Sequence, residues 1–408
     1  MATRKDSRGY VLKTGESQRK DGRYVFSYTD LEKKRHHVYA TSLQELRKKE
    51  RKIIHDIEEG LDPHAAEKIT LNQMYEKYIA TKCELKETTR VHYMYTYNHF
   101  VKNSIGNRRL IDIRYSSIKE FYMDLIVNKG IKVNTIENIN NQIHPALQMA
   151  VRDGFIRTNP SDGVFKEIKK SKLGTTPPRC ALTVEQQKAF VNYLSNSKDF
   201  RGWYSFIIFL LGTGCRIGEA IGIRWEDIDF KNKSINVNHN TLYRPDKDGK
   251  SVWSITTPKT QAGIRTIPLL PVVEDALAEA YDIQRALGVK SVVIDGYTDF
   301  VFTTESGYPY LPHEVNRAIL RIISEHNKME EKKAKLEKRT PLLIPRFSAH
   351  NLRHTFCTRL CENESNLKII QSIMGHADIS TTMNIYAEAT QEKKQEVIAK
   401  LDNKIVIV

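Results

Sequence analysis

Residues 212–220 read Gly-Thr-Gly-Cys-Arg-Ile-Gly-Glu-Ala, a double-glycine turn that closes the apolar run Trp203 to Leu211 and is followed by Arg216 and Glu219. The apolar run is about half the ~18 to 20 uncharged residues of a membrane span, so it reads as a core helix. Thr183 opens a helix before it. After it come strand-like stretches at Ser234 to Val237, Val252 to Thr256 and Ile264 to Ile267, with helices resuming after Pro271. Alternating apolar stretches interleaved with helical periodicity predict a mixed α+β region from Leu182 onward.

That domain supplies an unusual set of polar residues. Arg216 follows the glycine turn, Lys259 lies in the turn between two strands, His350 stands three residues before Arg353, His376 follows Gly375, and Tyr386 comes ten residues later. Two arginines can each give bidentate, charge-assisted hydrogen bonds to the nonbridging oxygens of a phosphate, where negative charge grows during phosphoryl transfer. The planar guanidinium suits this better than an ammonium. A tyrosine with a pKa near ~10 is a poor nucleophile at neutral pH and needs a proton acceptor or cationic neighbours. Histidine can provide the first and arginine the second. A lysine on a mobile turn is a plausible acid for a leaving sugar oxygen. Taken singly, each residue has an ordinary reading: a surface arginine, a solvated turn lysine, one tyrosine among nineteen. The joint pattern favours chemistry. His350 and His354 have the i, i+4 spacing of a zinc pair, but Asn351 stands where a metalloprotease motif needs glutamate and no third ligand is evident, so neither metal nor other cofactor is expected.

The preceding chain is helical. Leu71, Met74, Tyr75, Tyr78 and Ile79, then Ile118, Phe121, Tyr122, Leu125 and Ile126, then Ile136, Ile139, Ile143 and Leu147 repeat at i, i+3, i+4. This predicts a bundle of about four helices from about Leu71 to Arg152, opened by Thr70 with Gln73 and bent at Pro145. Lys166 to Arg179 has linker composition. In residues 1–65, Tyr10 to Leu12, Tyr24 to Phe26 and Val38 with Tyr39 read as three short strands. Ser42 with Glu45 then caps an amphipathic helix. At the far end, Lys328 to Arg339 reads as an exposed helix end or loop, Glu388 to Leu401 as a charged helix, and 405–408 as an apolar tail within a terminal segment, 391–408.

The formal charge of the 408 residues is +15, with 64 Lys+Arg against 49 Asp+Glu, and residues 1–52 alone carry +8 of it. A polyanionic partner follows, nucleic acid before others. The five cysteines are odd in number, scattered and without C-x-x-C pairs, which fits a reducing cytoplasm. Cys357 and Cys361 read as packing residues. No membrane partner is expected.

The motifs at 212–220, His-Asn-Leu-Arg-His-Thr at 350–355, Met-Gly-His-Ala at 374–377 and Tyr386 resemble, in order and spacing, the signature of the tyrosine recombinase (phage integrase) family. The resemblance implies a catalytic set of Arg216, Lys259, His350, Arg353, His376 and Tyr386, with Glu219 orienting its neighbours. Cys215 and Ala220 depart from residues common in the family, a packing matter only. Residues 15–24, Gly-Glu-Ser-Gln-Arg-Lys-Asp-Gly-Arg-Tyr, resemble the arm-site-binding domain of integrases from conjugative transposons. The implied fold is multidomain and mainly α with small β elements. It comprises an N-terminal three-stranded sheet plus helix over residues 1–65, a helical core-binding bundle over 69–165 and the mixed catalytic domain over 180–390. The implied function is site-specific DNA recombination through a 3′-phosphotyrosyl intermediate on double-stranded DNA with core and arm sites. A homo-tetramer and an accessory DNA-bending or excision factor are implied with it, and the apolar tail is expected to dock on a neighbouring protomer. Two other readings stay open from the residues: a type IB topoisomerase, and a catalytically silent DNA-binding regulator.

Overall fold

The computed structural model describes residues 4–30, 33–62, 68–171, 181–245, 250–258 and 260–387. It divides into two compact units, residues 1–177 and 178–408.

The first unit opens on an antiparallel sheet, β1 (Glu16–Gln18), β2 (Tyr24–Thr29) and β3 (Arg35–Ala40), in that order, followed by α1 (Leu43–Glu58). Tyr24, Phe26 and Ala40 on the sheet pack with Leu46 and Ile53 of the helix, so alternation on the strands meets helical spacing in one small core. The first strand lies six residues later than Tyr10 to Leu12, where β-prone side chains predict it. Tyr10 and Val11 are exposed, whereas the buried Glu16 takes a hydrogen bond from Arg47 of α1 at 2.9 Å. An ion pair, which apolar alternation does not reveal, fixes this strand. At the start of α1, Ser42 accepts from the Glu45 amide, but the Glu45 carboxylate turns back to Thr41 and not to Ser42.

Four helices follow, α2 (Leu71–Ala80), α3 (Glu87–Phe100), α4 (Tyr115–Val127) and α5 (Val133–Arg152), around a core that includes Leu71, Tyr75, Tyr97, Ile118, Tyr122, Ile136, Ile143 and Leu147. Thr70 and Gln73 form the full reciprocal cap of α2. Pro145 sits inside α5, which continues past it. The stretch read as a linker from Lys166 begins inside a short helix, α6 (Val164–Lys170). Val164 and Ile168, one turn apart, bury themselves in the bundle and outweigh the lysines between and after them.

The second unit is built around α8 (Tyr204–Thr213), which is buried on nearly every side and so carries no polar stripe. α7 (Val184–Asn196) precedes it, capped by Thr183 and Gln186. A one-turn helix, α9 (Ile217–Ala220), follows the glycine turn and leads to β4 (Ile228–Asp229) and β5 (Ser234–Val237). Next come β6 (Asn240–Pro245), β7 (Ser251–Thr256) and β8 (Arg265–Pro268). The strands make one sheet of order β4-β5-β8 and a separate hairpin β6-β7. Sequence periodicity missed β6, whose Asn240 and Pro245 are poor strand formers; it is held by pairing along its whole length with β7. Helices α10 (Pro271–Ala286), α11 (Pro312–Leu336), α12 (Ala349–Asn363) and α13 (Leu367–Met374) complete the unit, and helical backbone resumes over 379–387. The charged run from Lys328 is the exposed end of α11, closed by Arg339 donating to Glu330 at 3.1 Å. The charged stretch and apolar tail beyond residue 387 lie outside the described residues. Among the described residues no helix is long and apolar enough to cross a membrane.

Candidate active site

Two left-handed glycines shape the site. Gly214 (φ +61°) ends α8 and turns the chain into Arg216, the N-cap of α9; a Cβ on Gly214 would stand 2.3 Å from the Phe356 ring. Gly375 (φ +62°) ends α13 immediately before His376, and a Cβ there would meet the Ala262 carbonyl at 2.8 Å and Arg265 Cδ at 2.9 Å. Only glycine combines that backbone conformation with so close an approach.

The last carbonyls of a helix have no partner within the helix and carry its negative dipole end. At the end of α13 three successive carbonyls are each taken by a different arginine. Arg265 Nε donates to Ile373 O at 2.8 Å, Arg353 donates to Met374 O at 2.6 Å, and Arg216 donates to Gly375 O at 3.1 Å. Arg353 uses its other terminal nitrogen on Gly214 O, also at 2.6 Å, which ties α12 to the turn before Arg216. Between Arg216 and Arg265 sits the buried Glu219. One of its oxygens accepts from Arg216 Nη1 at 2.6 Å; the other accepts from the Arg216 amide and from Arg265 Nη2, both at 2.9 Å.

Three guanidiniums around one carboxylate leave a net positive cluster in a poorly solvated place. Burial pushes the Glu219 carboxyl up, but the Arg265 hydrogen bond and charge and the Arg216 charge bring it below the usual range, so it is ionised. Burial and the neighbouring Arg216 lower Arg353 to about 10. Burial, followed by the charges of Arg353, Arg216 and Arg265 and then His350, lowers His376 to about 4. His376 is therefore neutral near pH 7, with Nδ1 3.0 Å from the Thr382 hydroxyl. If Thr382 donates to Nδ1, the ring proton sits on Nε2; the tautomer follows from that bond.

The depressed His376 has a consequence for stability. Between about pH 6.5 and 4 the unfolded chain takes up a proton at His376 that the folded chain refuses, so stability present above pH 6.5 is lost as pH falls towards 4. The loss is expected to approach about 3 kcal/mol. Thermal melts from pH 7 to 4.5 should show it, and His376→Asn should flatten that part of the profile; an unchanged slope would contradict the burial of a neutral imidazole.

Of the residues singled out from sequence, Arg216, Glu219, Arg353 and His376 come together here. His350 is exposed in the first turn of α12, on the approach to the cluster, and contributes to the field felt by His376. Tyr386 is half-buried on the 379–387 helix, packed against the buried cluster of Cys357, Cys361, Ile370 and Met374. It rests on the two helices that carry Arg353 and the carbonyl that Arg353 holds. Lys259 lies outside the described residues. Arg265 was missed. Its signal is an arginine at an inward register of a strand, two residues before the buried Ile267, where only a charge partner permits burial. Among the described residues no three His, Cys, Asp or Glu side chains gather as a metal-holding group.

The description "Phage integrase family" matches residues 181–393. The transposase from transposon Tn916 of Enterococcus faecalis is 32% identical over 412 aligned positions, which cover 98% of this chain and 96% of that protein. The chain belongs to the phage integrase family of tyrosine recombinases. In this recombinase, residues 1–57 match "DNA binding domain of tn916 integrase" and residues 70–126 match "Phage integrase, N-terminal SAM-like domain". A solved structure of the Tn1549 transposon integrase, with one tyrosine replaced by phenylalanine and bound to transposon right-end DNA, is 31% identical to the recombinase. It superposes with a TM-score of 0.70 over 82% of this chain and all of that one. Another, with one arginine replaced by lysine and bound to a circular intermediate DNA, is 30% identical with a TM-score of 0.68, over 81% of this chain and 99% of that one. The recombinase is thus a site-specific enzyme of the conjugative-transposon integrase type.

Proposed function

We propose that this recombinase integrates and excises a mobile element by cutting duplex DNA with Tyr386. The observation that carries the reading is the convergence of Arg216 and Arg353 on the Gly375 and Met374 carbonyls next to His376, a preorganised cationic cradle beside the helix that bears Tyr386. The Tyr386 oxygen attacks the scissile phosphorus and the P–O5′ bond breaks. A 3′-phosphotyrosyl link forms and the 5′-hydroxyl is released. Arg216 and Arg353 meet the charge that builds on the nonbridging oxygens, and neutral His376 adds a hydrogen bond. His350, exposed at the start of α12, takes the phenol proton, and Lys259 protonates the leaving oxygen. The phosphoester is retained, so a 5′-hydroxyl from another strand reverses the step on new DNA without ATP. The solved relatives on transposon-end and circular-intermediate DNA support duplex DNA as the substrate. Four protomers on two duplexes, with an accessory bending or excision factor, would complete the exchange.

The test is a nicked suicide substrate carrying the cognate site, paired with a two-site recombination assay. A denaturant-resistant adduct and exchange between sites are expected. Supercoil relaxation without exchange would point to a topoisomerase, and binding without either to a silent regulator.

Residues 1–65 would then serve distal arm-type sites. Deleting them is expected to weaken arm-site binding and reduce the dependence of log K on log salt, with core cleavage retained, because released counterions scale with phosphates contacted. Equal loss at core and arm sites would contradict a separate role.

A further inference from the structure

Arg265 is absent from the catalytic set that the motifs point to, yet it is among the most completely engaged side chains of the site. It is 7% exposed and donates in three directions: to Ile373 O, to its neighbour Gly263 O at 3.1 Å, and to Glu219 at 2.9 Å. It touches neither Tyr386 nor any outward-facing group of the cluster among the contacts seen. Its shortest route to Arg216 runs through Glu219.

Glu219 has two cationic partners and one charge. Arg216, whose side chain is 41% exposed, is the partner that can turn to a phosphate; Arg265, whose three guanidinium nitrogens each donate to a fixed acceptor, cannot. Without Arg265, the full carboxylate charge would fall on Arg216 and draw its guanidinium inward, since a buried carboxylate is stabilised only by paired charge. We propose that Arg265 is a positioning residue that neutralises Glu219 and thereby leaves the charge of Arg216 available to the scissile phosphate. Glu219 still aims Arg216 through the 2.6 Å hydrogen bond, while Arg265 supplies the compensating cation. The same side chain links β8 to the end of α13, so that strand and the peptide before His376 share one buried anchor. This role rests on the reading of Arg216 as a phosphate ligand.

The experiment is single-turnover cleavage of a suicide core-site duplex at saturating DNA, on folded protein, in a charge cycle at positions 265 and 219. Arg265→Gln, which keeps an amide donor for Ile373 O, is expected to slow cleavage by about tenfold or more. Arg265→Lys, which keeps the cation with fewer donors, is expected to stay within about threefold of wild type. Adding Glu219→Gln to Arg265→Gln removes both charges while the new amide still accepts from Arg216; cleavage should recover to within about threefold of Glu219→Gln alone. If Arg265 is only a scaffold, the double variant will be as slow as Arg265→Gln or slower, and Arg265→Lys will be as slow as Arg265→Gln; either result overturns the proposal. Should Arg265→Gln not fold, the neutral double variant and Arg265→Lys decide it: a folded double variant that binds core DNA normally but cleaves at less than a tenth of the Glu219→Gln rate overturns it. Failure of the underlying reading looks different, because Arg216→Gln would then cleave the same duplex at the wild-type rate.

Discussion

Tyr386→Phe is expected to abolish covalent joining to DNA while leaving the Kd for the core site within about threefold, under ~0.7 kcal/mol. The asymmetry follows from where the side chain sits. It packs against the buried apolar cluster of Cys357, Cys361, Ile370 and Met374, a contact that a phenylalanine ring can keep. The substitution keeps the ring and removes only the oxygen, so folding and the arginine cradle persist while the nucleophile is gone. No neighbouring group substitutes for a missing nucleophile, so the loss is complete where the loss of a stabilising contact is partial. Gel-shift titration and a denaturing adduct assay on one preparation check both halves. Adduct formed by the variant would move the nucleophile elsewhere.

Arg353→Lys is the second large effect. Arg353 spans two carbonyls, Gly214 O and Met374 O, with two nitrogens of one planar group, and it is 4% exposed. A lysine ammonium is a compact point charge that cannot reproduce this fork, so one buried carbonyl loses its donor, at about 1–3 kcal/mol. For a unit of this size each kcal/mol shifts the melting midpoint by about 2–4 °C, which differential scanning calorimetry resolves. Catalysis should suffer more than stability. Losing a preorganised donor to a developing oxyanion costs about 10²- to 10³-fold in rate, and here the turn before Arg216 is loosened as well. Single-turnover cleavage reads this directly. A variant that melts several degrees lower yet cleaves at the wild-type rate would make Arg353 structural only.

The contrast between the residues sequence picked out and those it passed over is physical. Arg216, Arg353 and His376 stand next to left-handed glycines or at the start of a helix, positions whose chemistry is visible in a local motif. Arg265 lies in an ordinary strand, and its partners are 46 and 108 residues away, so no local pattern announces it. The same holds for the fold. Helices α2 to α5 bury long periodic stripes and could be read directly from spacing. β1 depends on the Glu16–Arg47 pair across 31 residues, and β6 depends on its partner strand; both were misplaced or missed because the stabilising contact is distant in sequence. α6 was hidden by lysines around two buried residues, a stripe too short to stand out from linker composition.

The most direct measurement is to trap the recombinase on a suicide duplex, digest the complex, and identify the peptide that carries the nucleotide. The phosphodiester is expected on Tyr386, within the peptide that follows His376. A nucleotide attached to any other residue, or a digest with no attached peptide despite cleaved DNA, would contradict attack by the Tyr386 phenol on a phosphate held by Arg216 and Arg353.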